Sequence, residues 1–152
     1  VSDYAIAAPE PDDQDCWRRL WGDYCARYDV VVTDVTTEEV WRRIMDPASQ
    51  TSAIVARDAD GQVVGFCHYV LHDHTWAVAP LCFLEDMYVD PAHRRRGVAR
   101  ALLDRLLDLA RQKGWPRVYW HTRLENAPAR ALYDQVTGGP DPMVRYTVRL
   151  DR

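Results

Sequence analysis

The densest chemistry in the chain lies in Glu85-Asp86-Met87-Tyr88-Val89-Asp90-Pro91-Ala92-His93-Arg94-Arg95-Arg96-Gly97-Val98-Ala99. Two adjacent carboxylates come first. A carboxylate can take a proton from a nucleophile or hold a cation. Three arginines and a glycine follow, where a strand gives way to a helix. The first N–H groups of a helix have no intrahelical partner, and the helix dipole adds positive potential there. Gly97 lets a ligand approach the backbone closely. Arg94, Arg95 and Arg96 add charge, so the turn reads as a pyrophosphate cradle. The chain has no GxxxxGK[ST] and no GxGxxG, which argues against a P-loop and a dinucleotide fold.

Other reactive side chains are weaker signals. His68, His72, His74, His93 and His121 are scattered without HExxH or other ligand spacing, so they read as surface or hydrogen-bonded histidines and no metal is expected. Cys16, Cys25, Cys67 and Cys82 form no CxxC pair and read as reduced, buried thiols. Asp23, Tyr24, Tyr28 and Asp29 combine aromatic rings with carboxylates, a pairing that suits an amine. Tyr24 and Tyr28 also lie on an apolar stripe, and for Tyr28 the core reading is favoured.

The elements that must position these groups follow from periodicity. Tyr4 to Ala8 suits a short strand, stopped by Pro9 and Pro11. Trp17, Leu20, Trp21, Tyr24, Cys25 and Tyr28 make a helical stripe. Thr36 and Glu39 form a capping-box pattern ahead of Val40, Trp41, Ile44 and Met45, and Pro47 ends that helix. Ser52–Arg57 and Val63–Leu71 flank Asp58-Ala59-Asp60-Gly61, a hairpin signal. A looser stretch through Asp73 and Pro80 leads to a strand at Cys82–Val89. Arg96–Lys113 is the clearest helix, with Leu102, Leu103, Leu106, Leu107 and Ala110 on its buried side and Gly114 as its cap. Val118–Thr122 reads as a strand, Asn126–Gln135 as a short helix and Met143–Leu150 as a last strand. The crossover through the long helix makes Cys82–Val89 and Val118–Thr122 parallel. The hairpin is antiparallel, so the sheet is mixed and the fold class is α/β (α+β).

Composition sets the outer limits. The 152 residues, 47% apolar and 28% charged, suit one domain over 1–152. The longest stretch without a formal charge, Gly61 to His72, is far shorter than the roughly 20 residues of a membrane span. The start of the chain shows no basic segment leading into an apolar one, so a cytoplasmic protein is expected. Residues 1–90 hold 6 basic and 17 acidic side chains (−11), and residues 91–152 hold 13 and 6 (+7). One half can attract a cation and the other a polyanion. A nucleic-acid interface would need one continuous basic face, which the acidic first half does not supply.

Arg94-x-x-Gly97-x-Ala99 resembles the Gln/Arg-x-x-Gly-x-Gly/Ala motif that cradles the CoA pyrophosphate in GNAT acetyltransferases. Leu84-Glu85-Asp86-Met87-Tyr88-Val89-Asp90-Pro91 resembles that family's fourth strand. Asn126-Ala127-Pro128-Ala129-Arg130-Ala131-Leu132-Tyr133 resembles its Asn-x-x-Ala-x-x-Leu-Tyr segment. The strand sequences look most like the histone- and polyamine-type members. The tail departs from the pattern, leaving room for one strand after Gly138 where the family often has two.

The resemblance implies a GNAT fold, a mixed central sheet with splayed parallel strands flanked by helices. It implies acetyl-CoA as cosubstrate, a small-molecule amine acceptor, no nucleic acid or membrane, and a homodimer. An ammonium has no lone pair for attack, so a base must first take its proton. The resemblance makes Glu85 that base, acting through water, and Tyr133 the acid that protonates the leaving thiolate. Met87, Tyr88 and Val89 would run along the pantetheine arm. Arg94, Arg95, Arg96, Gly97, Val98, Ala99 and Arg100 would surround the pyrophosphate, and Asn126, Arg130 and Tyr133 would reach the cofactor from the next helix. Asp23, Tyr24, Glu85 and Asp86 would face the acceptor. Strand alternation sets Glu85 and Asp86 on opposite faces unless a bulge intervenes. The competing readings are a protein or histone lysine acetyltransferase and a non-catalytic acyl-CoA-binding module; the module would tolerate loss of Glu85 and Tyr133.

Overall fold

A computed structural model describes residues 3–150. The chain divides into two compact units, Val1–Trp120 and His121–Arg152. The first holds β1 (Ala5–Ala7), α1 (Gln14–Arg27), α2 (Asp34–Met45), β2 (Thr51–Arg57), β3 (Val63–His74), β4 (Ala77–Val89), α3 (Val98–Lys113) and β5 (Val118–Trp120). The second holds α4 (Ala127–Thr137). The five strands form one sheet in chain order. Neighbours are antiparallel from β1 to β4, and β5 runs parallel to β4, pairing Cys82 with Val118 and Leu84 with Trp120. The expected mixed sheet is present, and so is the crossover.

Helices α1 and α2 cover one face of the sheet. Trp17, Leu20, Trp41 and Ile44 pack there with Val55, Val63, Phe66 and Tyr88 into a closed core. Residues 17, 21, 24 and 28 advance by four, three and four, so one stripe of α1 carries four stacked or tilted aromatic rings. Helix α3 covers the other face with Leu102, Leu103 and Leu106, all fully buried. Gly65 admits it: a Cβ there would sit 3.1 Å from the Tyr88 carbonyl oxygen and 3.4 Å from Val98. The missing side chain therefore fixes how close the start of α3 lies to the sheet.

Several boundaries differ from expectation. Helix α2 begins three residues early, because the Thr33 hydroxyl, and not Thr36, accepts the capping bond from Thr36 N–H at 3.2 Å. Glu39 instead pairs with Arg42 and Arg43. Helix α3 begins at Val98, not Arg96, because Gly97 has φ +82°. β5 stops at Trp120. The stretch through Asp73 and Pro80 is not loose: β3 and β4 form a second hairpin. Residues 143–150 form no strand among the described residues, which corrects the expected Met143–Leu150 strand.

All four cysteines carry free thiols. Burial pushes the thiols of Cys67 and Cys82 up to about 12, so neither ionises under ordinary conditions. Among the described residues, no helix is long and apolar enough to cross a membrane and no group of three or more metal-ligating side chains comes together.

Candidate active site

The ladder between β4 and β5 ends at Leu84, but β4 continues to Val89. β5 ends there, at Trp120, so from Glu85 onward that edge of β4 has no strand paired with it among the described residues. Which groups face that open edge follows from the antiparallel pairing with β3. Asp90 N–H donates to Val64 carbonyl at 2.9 Å, making 64 and 90 a hydrogen-bonded pair. Bonded pairs alternate, so 66 with 88 and 68 with 86 are also bonded. The main-chain groups of Met87 and Val89 thus point away from β3, toward the open edge of β4. The Val89 carbonyl takes a bond from Arg94 Nε at 3.0 Å.

The turn after β4 is held from three sides. The Asp90 carboxylate accepts from Ala92 N–H at 3.0 Å and pairs with Arg19 of α1 at 3.0 Å. The backbone bond first, then Arg19, holds the Asp90 carboxyl below its usual range. Tyr4 hydrogen-bonds His93 Nδ1 at 3.0 Å. The Arg94 guanidinium lies over the Tyr88 ring, 5.3 Å from its centroid. Arg95 and Gly97 both have positive φ, 60° and 82°. Alternation of this kind turns successive N–H groups toward one side, a nest for an anion. Ala101 N–H reaches back to Gly97 carbonyl at 2.9 Å, so the N–H groups of 98–100 precede the i→i−4 ladder. Arg94, Arg95 and Arg96 are exposed around the nest. Arg100 is committed to Asp104, both of whose oxygens it meets at 2.9 Å.

A residue in the left-handed region costs about 1 kcal/mol or more unless it is glycine. A Cβ on Gly97 would meet nothing within 4 Å, so the cost of Gly97→Ala is conformational and not a clash. The variant should lose roughly 1 kcal/mol of stability and show a smaller rise in Tm on adding CoA. An undiminished CoA-induced rise would remove Gly97 from the cradle.

A bulge decides how the two carboxylates sit. His68 pairs with Asp86 and Tyr69 with Leu84, so Glu85 is the extra residue of β4. Asp86 lies on the α1 face. Its Oδ2 is 3.0 Å from His68 Nδ1, and Tyr24 lies near enough to feel its charge. Burial first, then the charge of Asp86, pushes the Tyr24 phenol well above its usual range. Glu85 is exposed, and its charge adds to burial in raising the Tyr119 phenol. Tyr119 contacts Phe83 at 4.9 Å between centroids and His72 Nε2 at 2.8 Å, on that same face. The alternation expected for a regular strand is broken, and both acids act on one side. Asp23 is exposed and pairs with Arg19 at 3.6 Å. Trp21 Nε1–H is buried beside Tyr24 with no acceptor among the described residues.

Asn126, Arg130 and Tyr133 belong to the second unit. Asn126 precedes α4 and donates to Thr122 Oγ1 at 3.1 Å, and Arg130 donates to the Leu124 carbonyl at 3.0 Å. Both bonds close the turn that leads into α4.

A phosphate nest at the end of a strand that runs on past its short parallel neighbour fits the class of acyl-CoA-dependent transferases. The chain matches the acetyltransferase (GNAT) family over residues 10–138 and belongs to it. It is an acetyltransferase whose acetyl donor is acetyl-CoA. It is 31% identical to a D-amino-acid N-acetyltransferase of Saccharomyces cerevisiae over 140 residues, 91% of this chain and 87% of that protein. It is 30% identical to an aminoglycoside N(6')-acetyltransferase type 1 of Stenotrophomonas maltophilia, covering 84% and 81% of the two chains. Among solved structures, a ribosomal-protein-alanine N-acetyltransferase from Brucella melitensis biovar Abortus 2308 superposes with TM-score 0.77 at 25% identity, covering 97% and 99%.

Proposed function

We propose that this chain acetylates a primary amine of a small basic acceptor, of polyamine type, by direct attack on the thioester of acetyl-CoA. The observation that carries the reading is the bulge at Glu85, which sets two carboxylates together where β4 runs on past the end of β5. Among the described residues no lysine or arginine forms an ion pair with Asp86, so a cationic ligand is the natural complement. The two curated relatives described above are both named for small amine acceptors.

In this reading the thioester carbonyl is the electrophile that acetyl-CoA supplies. Glu85 takes the proton of the incoming ammonium, directly or through water, so that nitrogen has a lone pair for attack. Main-chain N–H groups of Met87 and Val89 orient the pantetheine arm, and the nest at 94–100 holds the pyrophosphate. Tyr133 gives its proton to the departing thiolate. Tyr133→Phe should then lower kcat by about 100-fold, as loss of a general acid does, and leave CoA affinity unchanged in a calorimetric titration. An unaltered kcat would remove Tyr133 from the chemistry.

The test of the function is free-thiol release from acetyl-CoA with polyamines, D-amino acids, aminoglycosides and lysine peptides, against controls without amine. Amine-dependent release that favours small basic amines supports the reading. Release only with lysine peptides would make it a protein acetyltransferase, and CoA binding without release from any amine would make it a binding module.

A further inference from the structure

Asp86 is not an isolated carboxylate. Trp17 Nε1 lies 2.8 Å from His68 Nε2, and His68 Nδ1 lies 3.0 Å from Asp86 Oδ2. An indole N–H can only donate, so His68 Nε2 must accept. The ring hydrogen is then on Nδ1, and His68 donates to Asp86. His68 is 3% exposed and lies 25° from parallel to the Phe66 ring at 4.4 Å, so it cannot turn to offer the other nitrogen. The charge of Asp86 helps to keep the nearby Tyr24 a phenol. A neutral donor therefore fixes a carboxylate that is only 15% exposed and has no cationic partner among the described residues. An anion so enclosed is satisfied in orientation but not in charge. The reacting amine must shed its charge before it attacks, so it cannot supply the balance through the reaction. Another positive group of the acceptor can.

We propose that His68, its tautomer fixed by Trp17, is a positioning residue that holds Asp86 as a docking point for a cationic group of the acceptor other than the amine that is acetylated. The proposal rests on the reading of the site as an amine acetyltransferase. It makes a diamine a better acceptor than a monoamine of the same length.

Steady-state kinetics with putrescine and with butylamine test it. The wild type should show a KM for putrescine about 10-fold or more below that for butylamine, the size of one hydrogen bond to a charged group. His68→Leu should raise the putrescine KM toward the butylamine value while kcat and the KM for acetyl-CoA stay put. His68→Gln, which keeps a donor, should recover part of the difference. In an Asp86→Asn background the His68→Leu effect should vanish, because residues that act through one another are not additive. Nitrogen-15 shifts of His68 should report hydrogen on Nδ1 alone, whether or not the variants fold. Wild-type turnover with equal KM for the two amines, an unchanged putrescine KM in His68→Leu, an undiminished effect in Asp86→Asn, or hydrogen on Nε2 would each overturn the proposal and leave the acetyltransferase reading standing. Absence of amine-dependent thiol release by the wild type with any acceptor would overturn both.

Discussion

Glu85→Gln is expected to lower kcat by about 100-fold or more, the usual contribution of a general base, with little change in the KM for acetyl-CoA. The substitution keeps size and one hydrogen-bonding oxygen and removes only the ability to take a proton. The wild-type rate should fall toward acid pH as the base is protonated. That limb should be absent from the pH profile of the variant. Asp86 is the obvious substitute base, since the bulge turns both acids to one face. One of its oxygens is held by the His68 donor, however, and it faces the Tyr24 phenol, which its charge helps to keep protonated. Asp86→Asn should therefore act mainly on the KM of the amine. If Glu85→Gln retained full kcat and its acid limb, the base would be Asp86 or solvent, and the assignment of Glu85 would fall.

The contrast between these two acids also marks the limit of what the sequence discloses. Element order was legible because each element carries its period: the stripe Trp17, Trp21, Tyr24, Tyr28 at helical spacing, and the apolar runs of β2 and β3 around Asp58–Gly61. The cradle was legible because Gly97 and its arginines sit at a strand-to-helix junction, and the left-handed φ there is what a glycine permits. The bulge was not legible. A single extra residue changes no composition and leaves the two-residue alternation intact on either side, yet it reverses the face of Glu85 relative to Asp86. Pro80 misled in the opposite direction. A proline ordinarily interrupts a strand, but here it falls between Ala77, opposite His74, and Leu81, opposite His72, where the register shifts and no ladder N–H is required. The alternation of Val144, Tyr146, Val148 and Leu150 promised a strand. Alternation describes how a strand would be used, and a strand also needs a neighbour, which no local pattern can supply. His68 read as one hydrogen-bonded histidine among five; its role depends on a β3–β4 register that brings it opposite Asp86 and on a tryptophan 51 residues away.

The second large effect is expected far from the chemistry. Asp13→Ala should destabilise the protein by about 3 kcal/mol, because removing one partner of a buried ion pair strands the other. Asp13 is buried at the entrance to α1 and meets Arg57 of β2 through both carboxylate oxygens, Oδ1 at 3.2 Å from Nε. It also accepts from Glu10 N–H at 2.6 Å, and Arg57 reaches the Ala8 carbonyl at 3.3 Å. These bonds tie the segment after β1, the start of α1 and the end of β2 together. Arg57 is only 14% exposed, so its guanidinium cannot recover water when Asp13 is lost. For a chain of this length the fall in Tm should be roughly 6–12 °C. The double variant Asp13→Ala/Arg57→Leu should be less destabilised than Asp13→Ala alone, because no charge is then left buried. Thermal unfolding of the three proteins decides it: equal losses in the single and double variants would mean that Asp13 acts through its backbone cap at Glu10 and not through Arg57. Because α1 also presents Trp17 and Tyr24 to His68 and Asp86, a loosened start of α1 should raise the KM of the amine before the protein unfolds, so a stability defect at Asp13 would be read first as a binding defect at the other end of the same helix.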